Sequence, residues 1–178
     1  MTFDLAHEAD PEDVEVLLEA ARWAPSAGNS QPWAFITARR DDAIHRCLVR
    51  HLAKSSARWA PSASILVVNL SHRWVQDTDW PHSEFSHYDL GQAVAHMTLQ
   101  AQAMGLASRQ FRAFDRDAIA NEYNVPEHWE VTTMTAIGRT PRGITPHAPV
   151  LPDGRGGPRT RRGATELVWH RTNTPGIS

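Results

Sequence analysis

Trp23-Ala24-Pro25-Ser26-Ala27-Gly28-Asn29-Ser30-Gln31-Pro32-Trp33-Ala34-Phe35 decides how the chain folds, because a helix ends in it and a strand begins. Upstream, Asp10 is placed to cap a helix and Pro11 suits its first position. Val14, Leu17, Leu18 and Ala21 then recur at i, i+3, i+4 and i+7, the apolar stripe of one helical face. Pro25 stops that helix. Pro, Ser, Gly and Asn supply turn-prone backbone with free N–H groups and side-chain amides, after which Trp33 and Phe35 alternate like one face of a strand. These residue types fit a plain helix-to-strand turn, and equally a loop that grips a polar ligand.

Working outward, Phe35-Ile36-Thr37 predicts a short strand, and Ile44, Cys47, Leu48 and Leu52 predict one face of a following helix that opens near Asp41-Asp42. Cys47 then belongs to the core, with His45 and His51 spaced to be its basic partners were it a nucleophile. Ala60-Pro61-Ser62 breaks the chain before Ile65-Leu66-Val67-Val68-Asn69-Leu70, the most strand-like run present. A strand that is apolar on both sides needs cover on both faces, which argues for a sandwich of helices around a sheet. Residues 71–86 show no period and predict a loop. His82, His87 and Asp89 are close enough in sequence to suggest metal ligands, but no second cluster follows at metal-site spacing, so no metal is assigned.

Tyr88 to Met104 is a second strong helix, with Leu90, Val94, Met97, Ala101 and Met104 on one stripe, with Gly91, Ala93 and Ala95 permitting close backbone approach, and with Gly105 ending it. Next come an extended piece from Ser108 to Phe114, a helix capped by Asp115 that runs to about Tyr123, and a β-branched strand from Val131 to Gly138. Beyond Arg139 the composition turns to Gly and Pro, then to Arg155, Arg159, Arg161 and Arg162, which predicts an extended arm over residues 139–178 completing one domain whose core is residues 1–138.

The bulk properties narrow the function. At 178 residues and 41% hydrophobic content the chain suits one domain with a real core. A formal charge of −2 gives no global attraction to nucleic acid or an anionic membrane. One cysteine excludes an intrachain disulfide and points to a reducing cytoplasm, and the first residues have neither the basic start nor the apolar run of a signal peptide. Small-molecule chemistry is the expectation.

Ala-Pro-Ser-Ala-Gly-Asn-Ser-Gln-Pro-Trp-Ala-Phe, preceded by Leu-Leu-Glu-Ala-Ala-Arg-Trp, resembles the signature of the FMN-dependent nitroreductase family. Asp89-Leu90-Gly91-Gln92-Ala93 and Leu99-Gln100-Ala101-Gln102-Ala103-Met104-Gly105-Leu106 resemble that family's central hydrophobic helix. The resemblance implies an α+β three-layer sandwich, a mixed or antiparallel sheet flanked by helices, in an obligate homodimer with its sites at the interface. It implies FMN held by Pro25, Ser26, Ala27 and Asn29 from one subunit and by Gln110, Phe111, Arg112 and Ala113 along the flavin, with a backbone N–H near N5. Arg161 and Arg162, with Arg159 behind them, would hold the phosphate, since guanidinium groups bind phosphate in a two-pronged fashion. Typical members add an Arg-x-Ser-x-Arg element ahead of the first helix, whereas residues 1–10 here hold no Arg or Lys. The implied activity is ping-pong hydride transfer from NAD(P)H, bound over the flavin, to a nitroaromatic, quinone or similar acceptor, with no catalytic side chain named. Two alternatives stand beside it: a flavin-dependent dehydrogenase of a natural-product intermediate, and a flavin-sequestering protein without turnover.

Overall fold

Strand β2 (Ile65–His72) is buried along nearly its whole length and holds the molecule together. It pairs antiparallel with β1 (Trp33–Arg39) on one side and with β4 (Trp129–Gly138) on the other, and β4 pairs antiparallel with β3 (Ala107–Phe111). The sheet order is therefore β1-β2-β4-β3, wholly antiparallel, with β1 and β3 at the edges. The computed structural model describes residues 2–141 and 161–169, the latter belonging to a second unit.

Helices cover both faces. Helix α1 (Pro11–Arg22) and helix α3 (Ser86–Ala103) pack against one face through Leu17, Ala21, Ala93, Met97 and Ala101, which meet Ile65, Val67 and Ile137 of the sheet. Helix α2 (Ala43–Arg50) and helix α4 (Arg116–Glu122) cover the other, where Leu48 and Ile119 join Leu66, Val68, Met134 and Ala136. Alternate residues of β2 thus feed two separate cores, as a continuous apolar strand requires. The expected three-layer α+β sandwich is present. Asn69 is the polar exception inside β2, and its amide donates to Thr133 Oγ1 and Thr135 Oγ1, both at 2.9 Å, on the neighbouring strand.

Asp10 stands at the N-cap of α1 as expected, in a capping box whose return bond runs from the Asp10 N–H to the Asp13 carboxylate at 2.9 Å. Several local expectations are corrected. In α2 the buried face is His45, Cys47 and Leu48, while Ile44 is exposed and Leu52 lies past the helix, bridged to Phe114. Gly91 and Ala95 face outward rather than sitting at a close approach, and a Cβ on Gly91 would meet open space. Ser71 and His72 extend β2, and Trp74 pairs with Pro81 across the turn that follows. Gly105 ends α3 with φ +74°, a conformation that costs glycine little.

Candidate functional site

Two segments carry the residues the sequence singles out, one before the edge strand β1 and one after the edge strand β3. Pro25 to Gln31 forms a tight loop with a 3₁₀ turn over Ala27–Asn29. Gly28, Asn29 and Gln31 all have positive φ, at 59°, 55° and 45°. Glycine and asparagine adopt that region readily, whereas glutamine does so at a cost, so strain is concentrated here. The loop is held from within. Asp89, buried in the first turns of α3, accepts the Ala27 N–H at 3.0 Å, and Gln92 reaches the Pro25 carbonyl at 3.4 Å. Ser26 Oγ accepts the Gln31 N–H at 3.0 Å, and Asn29 Oδ1 accepts from Gln31 Nε2 at 3.2 Å. Asn29 and Gly28 stay exposed, while Ser26 and Ala27 are half-buried. Of the four residues expected to meet a ligand, Ala27 thus turns its N–H inward to Asp89.

Gln110 and Phe111 close β3, and because β3 is an edge strand its backbone groups face alternately toward β4 and away from it. Among the described residues the N–H groups of Arg112 and Ala113 have no acceptor, but the Ala113 carbonyl is tied down from behind. It accepts the Ala53 N–H at 3.0 Å and the Ser56 hydroxyl. The Arg112 carbonyl, which shares its peptide group with the Ala113 N–H, accepts the Phe114 N–H at 3.1 Å, so the backbone on either side of the open N–H groups is bonded and the pair is preorganised. Beside it in the chain, Phe111 meets Trp59 edge-on at 4.9 Å and Phe114 at 6.0 Å. The Arg109 guanidinium lies 4.2 Å over the Trp59 ring, which places a cation at this apolar cluster. No hydrogen bond or ring contact among the described residues joins this segment to the 25–31 loop.

Arg161 and Arg162 are exposed at the start of the described part of the second unit, ahead of a 3₁₀ turn over Ala164–Leu167 in which Glu166 accepts the Gly163 N–H at 2.9 Å. Arg159 lies outside the described residues. His82, His87 and Asp89 go to three different partners. His82 stacks on His72 at 3.7 Å, His87 meets Glu130 at 3.2 Å, and Asp89 holds the loop. Asp89 and Ser56 were not legible as loop-holding residues, since their partners lie 62 and 57 positions away in the chain.

An α+β sandwich with a strained Pro-Ser loop at one sheet edge and an open backbone donor pair at the other defines the class of fold to compare with known proteins. The profile of the nitroreductase family matches residues 2–64 and 50–139, and the chain belongs to that family. A protein of Archaeoglobus fulgidus, named for a proposed NADH dehydrogenase/NAD(P)H nitroreductase activity, is 28% identical over 131 residues, covering 71% of this chain and 72% of that protein. A crystal structure described as an oxidoreductase containing FMN superposes with a TM-score of 0.81 at 27% identity, over 97% of this chain and 87% of that one. A nitroreductase family protein from Clostridium difficile 630 has the same fold, with a TM-score of 0.71 at 24% identity over 96% of this chain and 91% of that one. Within that family the chain is a general flavin oxidoreductase.

Proposed function

We propose that the chain is an FMN-dependent oxidoreductase that uses NAD(P)H to reduce a nitroaromatic, quinone or similar small acceptor, as a homodimer in the cytoplasm. The observation that carries it is the open N–H pair of Arg112 and Ala113, next in the chain to Phe111, whose ring meets that of Trp59, and such a polar donor set beside apolar rings suits the heteroatom edge of a flat ring. FMN, when bound, supplies the two-electron chemistry between nicotinamide and acceptor.

The chain's own residues position rather than react. Ser56 and Ala53 tether the backbone at the Ala113 carbonyl and the Phe114 N–H tethers it at the Arg112 carbonyl, which together hold the segment carrying the two N–H groups, while Asp89 fixes the loop that presents the Ser26 hydroxyl and the Asn29 amide. Such fixed donors can favour negative charge on a ring without an added acid or base. Arg161 and Arg162, with Arg159, are assigned to the phosphate. The two ligand-facing segments come from opposite sheet edges, which is accommodated if each site takes one from either copy. Val16, Trp23 and Leu99, exposed around a shallow hollow between α1 and α3, support burial of that face against a second copy.

The test is the absorption spectrum of the purified chain after excess FMN and desalting, followed by anaerobic NADPH or NADH. Flavin that is retained and then bleached supports the proposal. Complete loss of flavin on desalting overturns the cofactor, and retention without bleaching overturns the reductase in favour of a sequestering protein.

A further inference from the structure

Two helix ends meet at a cluster that flavin chemistry does not use. Cys47 and His51 lie four residues apart at the end of α2, so they share one face of it. Glu122, the last residue of α4, stands opposite them. The Cys47 sulfur, an imidazole nitrogen of His51 and a carboxylate oxygen of Glu122 all lie within 4.8 Å of one another. The sulfur is buried, His51 is half-buried and Glu122 reaches the surface, so the cluster opens to solvent on one side. His51 Nε2 is buried and, among the described residues, has no hydrogen-bond partner. Its nearest carboxylate oxygen, Glu122 Oε2, is 3.9 Å away, too far for a hydrogen bond. A buried nitrogen left in that condition costs free energy, and a cation placed between the three groups would remove the cost.

We propose that Cys47, His51 and Glu122 form a transition-metal site, with Zn²⁺ as its ion. Thiolate, imidazole and carboxylate are the three ligand types that Zn²⁺ takes, at roughly 2.0–2.3 Å from the metal, so binding draws the three atoms in from their present spacing of up to 4.8 Å. Ca²⁺ and Mg²⁺ prefer oxygen alone. Arg50 holds Glu122 in place at 3.3 Å. The site clamps α2 to α4. The His51 carbonyl accepts the Asp115 N–H at 2.8 Å, and Ala53 binds the Ala113 carbonyl, so the clamp borders the segment assigned above to the flavin without depending on that assignment.

The full chain, stripped of metal with a chelator, is titrated with Co²⁺ alone. Cys47 is the chain's one cysteine, so a thiolate-to-cobalt band in the near ultraviolet has a single source. The expected result is a band that saturates at one cobalt per chain and is displaced by Zn²⁺, with at least about tenfold weaker binding in both His51→Gln and Glu122→Gln. Zn²⁺ also raises the thermal midpoint of the unmodified chain and not that of Glu122→Gln, whose exposed position preserves the fold. Absence of the band in the unmodified chain overturns the proposal, as does unchanged cobalt affinity in either variant.

Discussion

Asp89 is 2% exposed, and its carboxylate is the acceptor for the Ala27 N–H. Asp89→Ala is expected to cost about 1.5–3 kcal/mol, the range for a hydrogen bond to a charged group, and to loosen the 25–31 loop; urea denaturation of the variant measures it. Ser56→Ala removes the hydroxyl behind the Ala113 carbonyl. Its expected cost is smaller, about 1 kcal/mol, but retention of added flavin after desalting should fall several-fold, because the donor pair at Arg112 and Ala113 is then held on one side only. A variant as stable as expected but with unchanged flavin retention would remove Ser56 from the site. The loop residues themselves were legible because their order is distinctive. Asp89 and Ser56 were not, since no local pattern marks a side chain whose partner is far away in the chain.

Among the elements, α1, β2, α3 and β4 were legible because each shows a long period or an unbroken apolar run. Helix α2 was legible in kind and not in its face. Its eight residues span too few turns for the apolar pattern to fix the orientation, and His45 takes a buried place that Ile44 was expected to fill. Edge strand β3 was read only as extended, since its open side leaves its pattern mixed. At the end of β4, Gly138 is closely approached. A Cβ there would come within 3.0 Å of both the Phe3 ring and the Ser64 backbone nitrogen. Backbone cannot swing aside as a side chain can, so Gly138→Ala is expected to destabilise by about 1–3 kcal/mol and to lower the thermal midpoint, as overpacking does. An unchanged midpoint would show that the N-terminal segment carrying Phe3 yields freely.

For the whole molecule, the dependence on acid follows from its histidines. Burial holds His7, His45 and His72 below the ordinary value of 6.5, with Arg139 adding to the effect at His7 and the neighbouring His82 and His128 adding to it at His72. At His45 the carboxylates of Asp41 and Asp42 oppose burial without overcoming it. With native values lowered, the unfolded chain binds more protons than the native one once the pH falls through about 6.5, and stability is lost on the acid side of that point. The urea midpoint at pH 5.5 is expected to lie below that at pH 8, and His45→Gln to flatten the difference. Equal midpoints would contradict the shifts. No helix among the described residues is long and apolar enough to cross a membrane. The layered sandwich was legible at this scale from the alternation of helices and strands, while the pairing order β1-β2-β4-β3 was not, because which strand lies beside which is decided by long-range packing.

That pairing order divides the molecule in a way its sequence does not. β1 and β2 form one antiparallel pair, β3 and β4 form another, and between them the chain passes through residues 74–81, all of them exposed. The halves meet along the β2–β4 ladder and where α1 lies on α3, neither of which needs the connecting peptide to be intact. A single cut near Asp77 should therefore yield two fragments that stay associated through gel filtration and, when expressed apart, find each other. The fold is then a natural split protein, its reassembly available as a reporter of whatever brings two fused partners together.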